Sequence, residues 1–134
     1  MTDGKEEWVK SFYVKPNGNN YRTVSLKCTK ALRFSKGLPP FILSGEKTIT
    51  WRCDDEKDIK AGDLLLLTTK DGAVFGQGEV LWVKHTTFGQ LTDEDKQGHE
   101  KFTSDEEMYR TYSRYYKMTV NESTLVKVIK FRLT

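Results

Sequence analysis

A chain of 134 residues has the length of one domain. Hydrophobic residues at 37% and charged residues at 31% suit a folded globule and exclude a disordered chain. No apolar run approaches the roughly 18 residues of a bilayer span, and the opening MTDGKEEWVK lacks the apolar stretch of a secretory signal, so a cytoplasmic protein without membrane contact is expected.

The net charge of +3 is unevenly spread. Between Trp8 and Arg52 the cations are Lys10, Lys15, Arg22, Lys27, Lys30, Arg33, Lys36, Lys47 and Arg52, and the only acid is Glu46. Acids gather later, in Asp54-Asp55-Glu56 and between Asp93 and Glu107. This separation points to an anionic partner for the first part of the chain, with solvated strand faces as the plainer reading. Cys28 and Cys53 read as reduced structural thiols. No partners stand at zinc-ligand spacing, so neither metal nor cofactor is expected.

In chain order, two β-like runs come first, Trp8–Val14 and Tyr21–Cys28, around the turn formers Lys15-Pro16-Asn17-Gly18-Asn19-Asn20. They predict a hairpin over residues 1–30, appended to a main domain of residues 31–134. Ala31–Phe34 predicts a short strand. Pro40 opens a brief helix to about Ser44, which Gly45 stops. Thr48–Arg52 is β-branched and aromatic and should be extended. After the charged loop 54–61, the apolar run Leu64–Thr69 predicts a buried strand. Lys70-Asp71-Gly72 predicts a turn, and Ala73–His85 a long strand bent at Gly76 or Gly78. Asp93–Phe102 predicts a helix with Thr92 as cap. Ser104 with Asp105-Glu106-Glu107 starts a second helix, to about Lys117. Its stripe of Tyr109, Tyr112, Tyr115 and Tyr116 reads as core packing, with a base-stacking platform as the alternative. Leu125–Leu133 is a last strand that must close non-locally. The whole predicts an α+β domain, a small mixed barrel with helices at one end.

The run Gly45-x-Lys47-x-x-Thr50-x-Arg52 resembles the signature of the ASCH domain, the activating-signal-cointegrator homology family. Ile42-Leu43-Ser44 before it, Gly62-Asp63 after it and Val128-Ile129-Lys130-Phe131 near the end extend the likeness over residues 31–134. The resemblance implies a PUA-like mixed β-barrel with a few short helices, to which the N-terminal β-hairpin is an addition. Within the family, Lys47-Thr48-Ile49-Thr50-Trp51-Arg52 is similar to the motif of the short N4-acetylcytidine amidohydrolases. By position, that likeness implies a catalytic set of Lys47, Thr50 and Glu100, the last in a Glu-x-x-Thr context preceded by a one-residue insertion. Substrate or RNA contacts are expected from Gly45, Arg52, Arg33 and Lys36.

The chemistry is coherent on its own terms. Hydrolysis of an acylated exocyclic amine needs a nucleophile, a base and an acid for the leaving nitrogen. Thr50 supplies a hydroxyl, Lys47 a base if its pKa is depressed, and Glu100 an acid; His99, beside it, is the alternative acid. Thr50 and Arg52 share a strand face, so Lys47 must leave the strand, in the turn after Gly45, to meet Thr50. Trp51 is expected to face the barrel interior, and Phe34 or Tyr13 to stack a base. Two other readings stand beside the metal-independent amidohydrolase acting on a nucleoside: a non-catalytic PUA-like RNA-binding module using the basic half, and a metal-dependent nuclease, for which the sequence shows no carboxylate or histidine cluster.

Overall fold

The computed structural model describes residues 30–53 and 57–134. The hairpin expected before Lys30, with Tyr13 and Cys28, lies outside them, as do Asp54-Asp55-Glu56. Five strands form one mixed sheet: β1 (Lys30–Phe34), β2 (Ile49–Arg52), β3 (Leu64–Thr69), β4 (Val74–Thr87) and β5 (Leu125–Leu133). Helix α1 (Pro39–Leu43) lies between β1 and β2, and a 3₁₀ turn (Phe88–Gln90), α2 (Asp93–Lys96) and α3 (Asp105–Tyr116) lie between β4 and β5. The strand order is β1-β3-β4-β5-β2. β1 runs parallel to β3, with Arg33 opposite Thr68 and Phe34 opposite Thr69, and every other pair is antiparallel. The last strand enters between β4 and β2, as its non-local closure required. The fold is an α+β half-barrel.

Two apolar clusters divide the sheet's faces. Leu32, Phe34, Leu65, Leu67, Val80, Ile129 and Phe131 fill the concave interior beneath Ile42 of α1. Ile49, Trp51, Val126 and Val128 point the other way, onto Phe88, Met108 and Tyr112. Both sets follow from strand alternation along β2 and β5. Trp51 therefore faces the helices and not the barrel interior: the interior side of β2 is taken by Thr50, which pairs with Ile129, and by Arg52. The long strand is irregular beside its glycines. Its register shifts opposite Leu67/Thr68 and between Val80 and Trp82, so the extra residues are Phe75 and Leu81.

The helix expected over Asp93–Phe102 ends at Lys96. Thr92 and Asp95 form a reciprocal capping box at its start, but Gln97 is extended and Gly98 turns left-handed at φ +84°. The Gly98 carbonyl accepts the amides of Thr48 (2.9 Å) and Ile49 (3.3 Å). These contacts to β2 outweigh local helix propensity and lead the chain out past the strand. Helix α3 starts as expected, with the Ser104 hydroxyl accepting the Glu107 amide at 3.1 Å. Among the described residues, no helix is long and apolar enough to cross a membrane.

Candidate active site

The signature run divides between a turn and a strand. Gly45 sits at φ +88°, a conformation that disfavours other residues, and its amide donates to the Ile42 carbonyl at 3.1 Å. The Lys47 amide then returns to the Phe41 carbonyl at 3.0 Å. Lys47 thus precedes β2, in the turn that its spacing from Thr50 demanded. Its side chain runs inward and is only 4% exposed. The ammonium donates to the Ile49 carbonyl at 2.8 Å and to Glu100 Oε2 at 2.5 Å.

Glu100 comes from the segment released by Gly98, and its side chain is 40% exposed. Its neighbour His99 is buried and fixes that segment. The His99 ring stacks on Trp51 at 3.6 Å between centroids and 10° between planes. Nδ1 lies 2.9 Å from the Glu100 carbonyl and Nε2 lies 3.0 Å from the Tyr112 hydroxyl. A carbonyl only accepts, so Nδ1 carries the proton, and Nε2 accepts from Tyr112. Both ring nitrogens are thereby engaged. The Trp51 indole N–H in turn donates to the Asp95 carbonyl at 3.0 Å. The fully buried Asp95 holds Lys84 at 2.7 Å.

Thr50 is buried at 5% exposure, and its hydroxyl oxygen accepts from Arg52 Nε at 3.1 Å. Arg52 also donates through Nη2 to the Arg33 carbonyl at 2.8 Å, and its guanidinium lies 5.0 Å over the Phe34 ring. One side chain therefore spans the gap between the edge strands β2 and β1 and orients the threonine hydroxyl.

The electrostatics set these groups apart from surface residues. Burial drives Lys47 below its ordinary pKa; Glu100 opposes this, and the Arg52 charge adds to it. Burial works against ionisation of Glu100, but His99, Lys47 and the ammonium hydrogen bond outweigh it and hold the carboxyl below its ordinary range. Burial, with the Lys47 charge, lowers His99 to about 4, so the imidazole is neutral at physiological pH. Burial also lowers Arg52 and raises Tyr112 well above its ordinary value.

Lys47, Thr50, Arg52 and Glu100 line one open pocket of about 220 Å³, together with Arg33, Phe34, Lys70, Tyr115 and Tyr116. Gly45 shapes the turn without lining this pocket, and the exposed Lys36 also lies outside its lining. The tyrosine stripe divides: Tyr109, Tyr112 and Tyr116 pack in the helix-side cluster, while Tyr112, Tyr115 and Tyr116 reach the pocket wall. Tyr115 is 47% exposed, so it is a pocket residue and not core. Sequence reasoning missed Lys70, a turn residue without a motif, and read Tyr115 with the core-packing stripe; the crowding of aromatics into the last turns of α3 was the signal. Among the described residues, no three His, Cys, Asp or Glu side chains cluster as metal ligands.

Comparison with solved structures agrees with this architecture. The ASCH domain from Lactobacillus crispatus JV V101 superposes with a TM-score of 0.65 at 18% identity, covering 98% of this chain and 95% of its own. The chain has the ASCH-domain fold. A DUF984 protein from Enterococcus faecalis V583 also gives 0.65, at 16% identity over 80% of each chain. The ASCH protein from Zymomonas mobilis gives 0.56 at 12% identity, covering 76% of this chain and 65% of its own. No family model matches the sequence, and no curated protein matches it.

Proposed function

We propose that this ASCH-fold protein belongs to the ASCH family and is a metal-independent amidohydrolase that removes the acyl group from N4-acetylcytidine or a related acylated nucleoside. One observation carries the reading: the buried Lys47 ammonium meets Glu100 at 2.5 Å in the pocket that Thr50 also lines. Burying a lysine ammonium is costly, and this one lines the same pocket as a hydroxyl that a guanidinium orients.

The pair holds one proton between its two groups, and exclusion of water by a bound base favours its neutral form, amine and carboxylic acid. The neutral Lys47 amine then takes the Thr50 proton as Oγ attacks the acyl carbonyl carbon. Glu100 gives its proton to N4 as the carbon–nitrogen bond breaks, leaving cytidine and acyl-Thr50. Water attacks the ester, with its proton passing to the Glu100 carboxylate. Lys47 returns its proton to Thr50 Oγ as the carboxylic acid departs. Arg52 Nε holds one lone pair of Thr50 Oγ1 throughout and supports the alkoxide. His99, with both nitrogens engaged, positions Glu100 and is not the acid.

The test is acetate release from N4-acetylcytidine in the presence of a metal chelator. Wild type should turn over, and Thr50→Ala and Lys47→Ala should each lose about 10³-fold or more. An unchanged rate in either variant refutes the role assigned to that residue. A non-catalytic RNA-binding module is the second reading, favoured by the cation–aromatic lining of Arg52, Phe34 and Tyr115. It predicts no acetate release, and RNA affinity that falls steeply with salt.

A further inference from the structure

The charge in the pocket does not match a neutral nucleoside. Among the described residues its lining holds four cations, Arg33, Lys47, Arg52 and Lys70, and one carboxylate, Glu100. Lys47 is paired with that carboxylate. The Arg52 guanidinium is bound to a hydroxyl and a carbonyl, neither of which carries charge. Arg33 and Lys70 have no carboxylate partner among the described residues. An acylated cytosine is uncharged and offers such cations only carbonyl oxygens, whereas a phosphate matches their charge.

The pocket is also graded by depth. Lys47 and Thr50, the reactive groups, are 4% and 5% exposed. Arg33, Lys70 and Tyr115 are exposed, at the rim. Phe34 pairs in register with Thr69, so Lys70 follows the β3 residue that lies beside Phe34. The Lys70 ammonium stands over the Tyr115 ring, 5.2 Å from its centroid. The Tyr115 hydroxyl meets Ser35, which ties the end of α3 to the loop after β1. The lysine is thereby directed toward the mouth and not left to range over the surface. A nucleoside seated with its acylated N4 at Lys47 and Thr50 would present its sugar and any phosphate at that rim.

We infer that Arg33 and Lys70 form a phosphate subsite at the pocket mouth, so that an acylated nucleotide is bound in preference to the free nucleoside. The inference rests on the reading that the pocket receives a nucleoside, and its test does not depend on amide hydrolysis. Cytidine, cytidine 5′-monophosphate and a short cytidine-containing single-stranded RNA are titrated into wild-type protein by calorimetry at low and moderate salt. None carries an acyl group, so none is consumed. The monophosphate should bind about tenfold more tightly than cytidine, as one charge-assisted contact provides. Lys70→Ala and Arg33→Ala should each reduce that preference, and the double variant should bind the two ligands equally. Lys36→Ala, altered outside the pocket, should keep it. Both substituted rim residues are exposed, and a circular dichroism melt checks that the variants stay folded.

Equal affinity for cytidine and its monophosphate overturns the inference even where N4-acetylcytidine is hydrolysed, in which case the amidohydrolase reading stands. A phosphate preference that depends on Lys70 and Arg33 upholds it even where no acetate is released. No binding of any cytidine ligand overturns it. RNA binding that weakens equally in Lys36→Ala and Lys70→Ala also overturns it, because the cations would then serve a broad backbone surface and not a subsite.

Discussion

Replacing Glu100 by Gln tests the paired-proton site without removing any reacting atom from Lys47 or Thr50. The Lys47 ammonium is 4% exposed and is held by the Ile49 carbonyl and Glu100. Glutamine keeps an acceptor near the ammonium and removes the charge. Breaking a fully buried ion pair costs roughly 3–5 kcal/mol. Glu100 is 40% exposed, so water screens part of the attraction and about 2 kcal/mol is the expected loss. That loss should lower the melting temperature by about 6 °C.

The pH dependence of this deficit identifies its cause. Burial depresses Lys47, so the unfolded state binds more protons than the folded state above the folded-state titration of Lys47. Stability contributed by this group therefore rises with pH through that range. In Glu100→Gln the depression deepens, because the carboxylate no longer opposes it. The deficit relative to wild type should be greatest near neutrality. It should shrink as alkaline pH removes the lysine charge in both proteins, and begin to shrink again as pH falls below the ordinary carboxyl range toward the depressed titration of Glu100 in the wild type. Chemical denaturation from about pH 4 to about pH 10 measures this directly. A deficit constant across that range would refute the argument and assign the loss to packing.

Gly98→Ala should destabilise the fold by roughly 2 kcal/mol or more: Gly98 has φ +84°, and an added Cβ would overlap the Thr48 hydroxyl. Adding Thr48→Ala should recover only the steric part, as differential scanning calorimetry would show. His99, lowered to about 4, is neutral in the fold and protonates more readily when unfolded, so its contribution is complete above its ordinary value of 6.5 and lost as pH falls toward 4. The loss approaches about 3 kcal/mol; a His99 imidazole titrating near its ordinary 6.5 by NMR would refute this. Lys84→Met should cost roughly 2 kcal/mol, discounted for the exposure of Lys84, by leaving the buried Asp95 carboxylate without its 2.7 Å partner. Lys84→Met with Asp95→Asn should recover part of that loss in a urea titration.

The local half of the site was legible in the sequence. Period-two alternation put Thr50 and Arg52 on one face, and the same arithmetic forced Lys47 into the turn at Gly45. Those inferences need only strand geometry, and the ammonium's contact with the Ile49 carbonyl shows how short the required reach is. Glu100 was nameable only through a family likeness, because its position depends on a helix that stops early. Acidic and basic residues over Asp93–Phe102 favour helix locally, yet the Gly98 carbonyl serves the amides of Thr48 and Ile49 at the start of β2, and that pairing exists only in three dimensions. The tyrosines failed differently. Spacing of three and four gives a stripe, but it cannot say where the apolar partner ends. Tyr112 meets Trp51 and Phe88, whereas one helical turn later Tyr115 has passed the edge of the cluster and meets Ser35 and Lys70.

Lys70 was the least accessible to sequence reasoning. It belongs to a turn whose composition specifies only a turn, and its place at the pocket depends on the parallel pairing of β1 with β3. No sequence period encodes a pairing between separated strands. That pairing sets Lys70 one residue beyond the partner of Phe34, while Arg52, from the opposite sheet edge, lies over the Phe34 ring. One aromatic side chain of β1 therefore relates a cation at the reacting end of the pocket to a cation at its mouth. The closure of the half-barrel and the charge of the pocket are consequences of the same strand order.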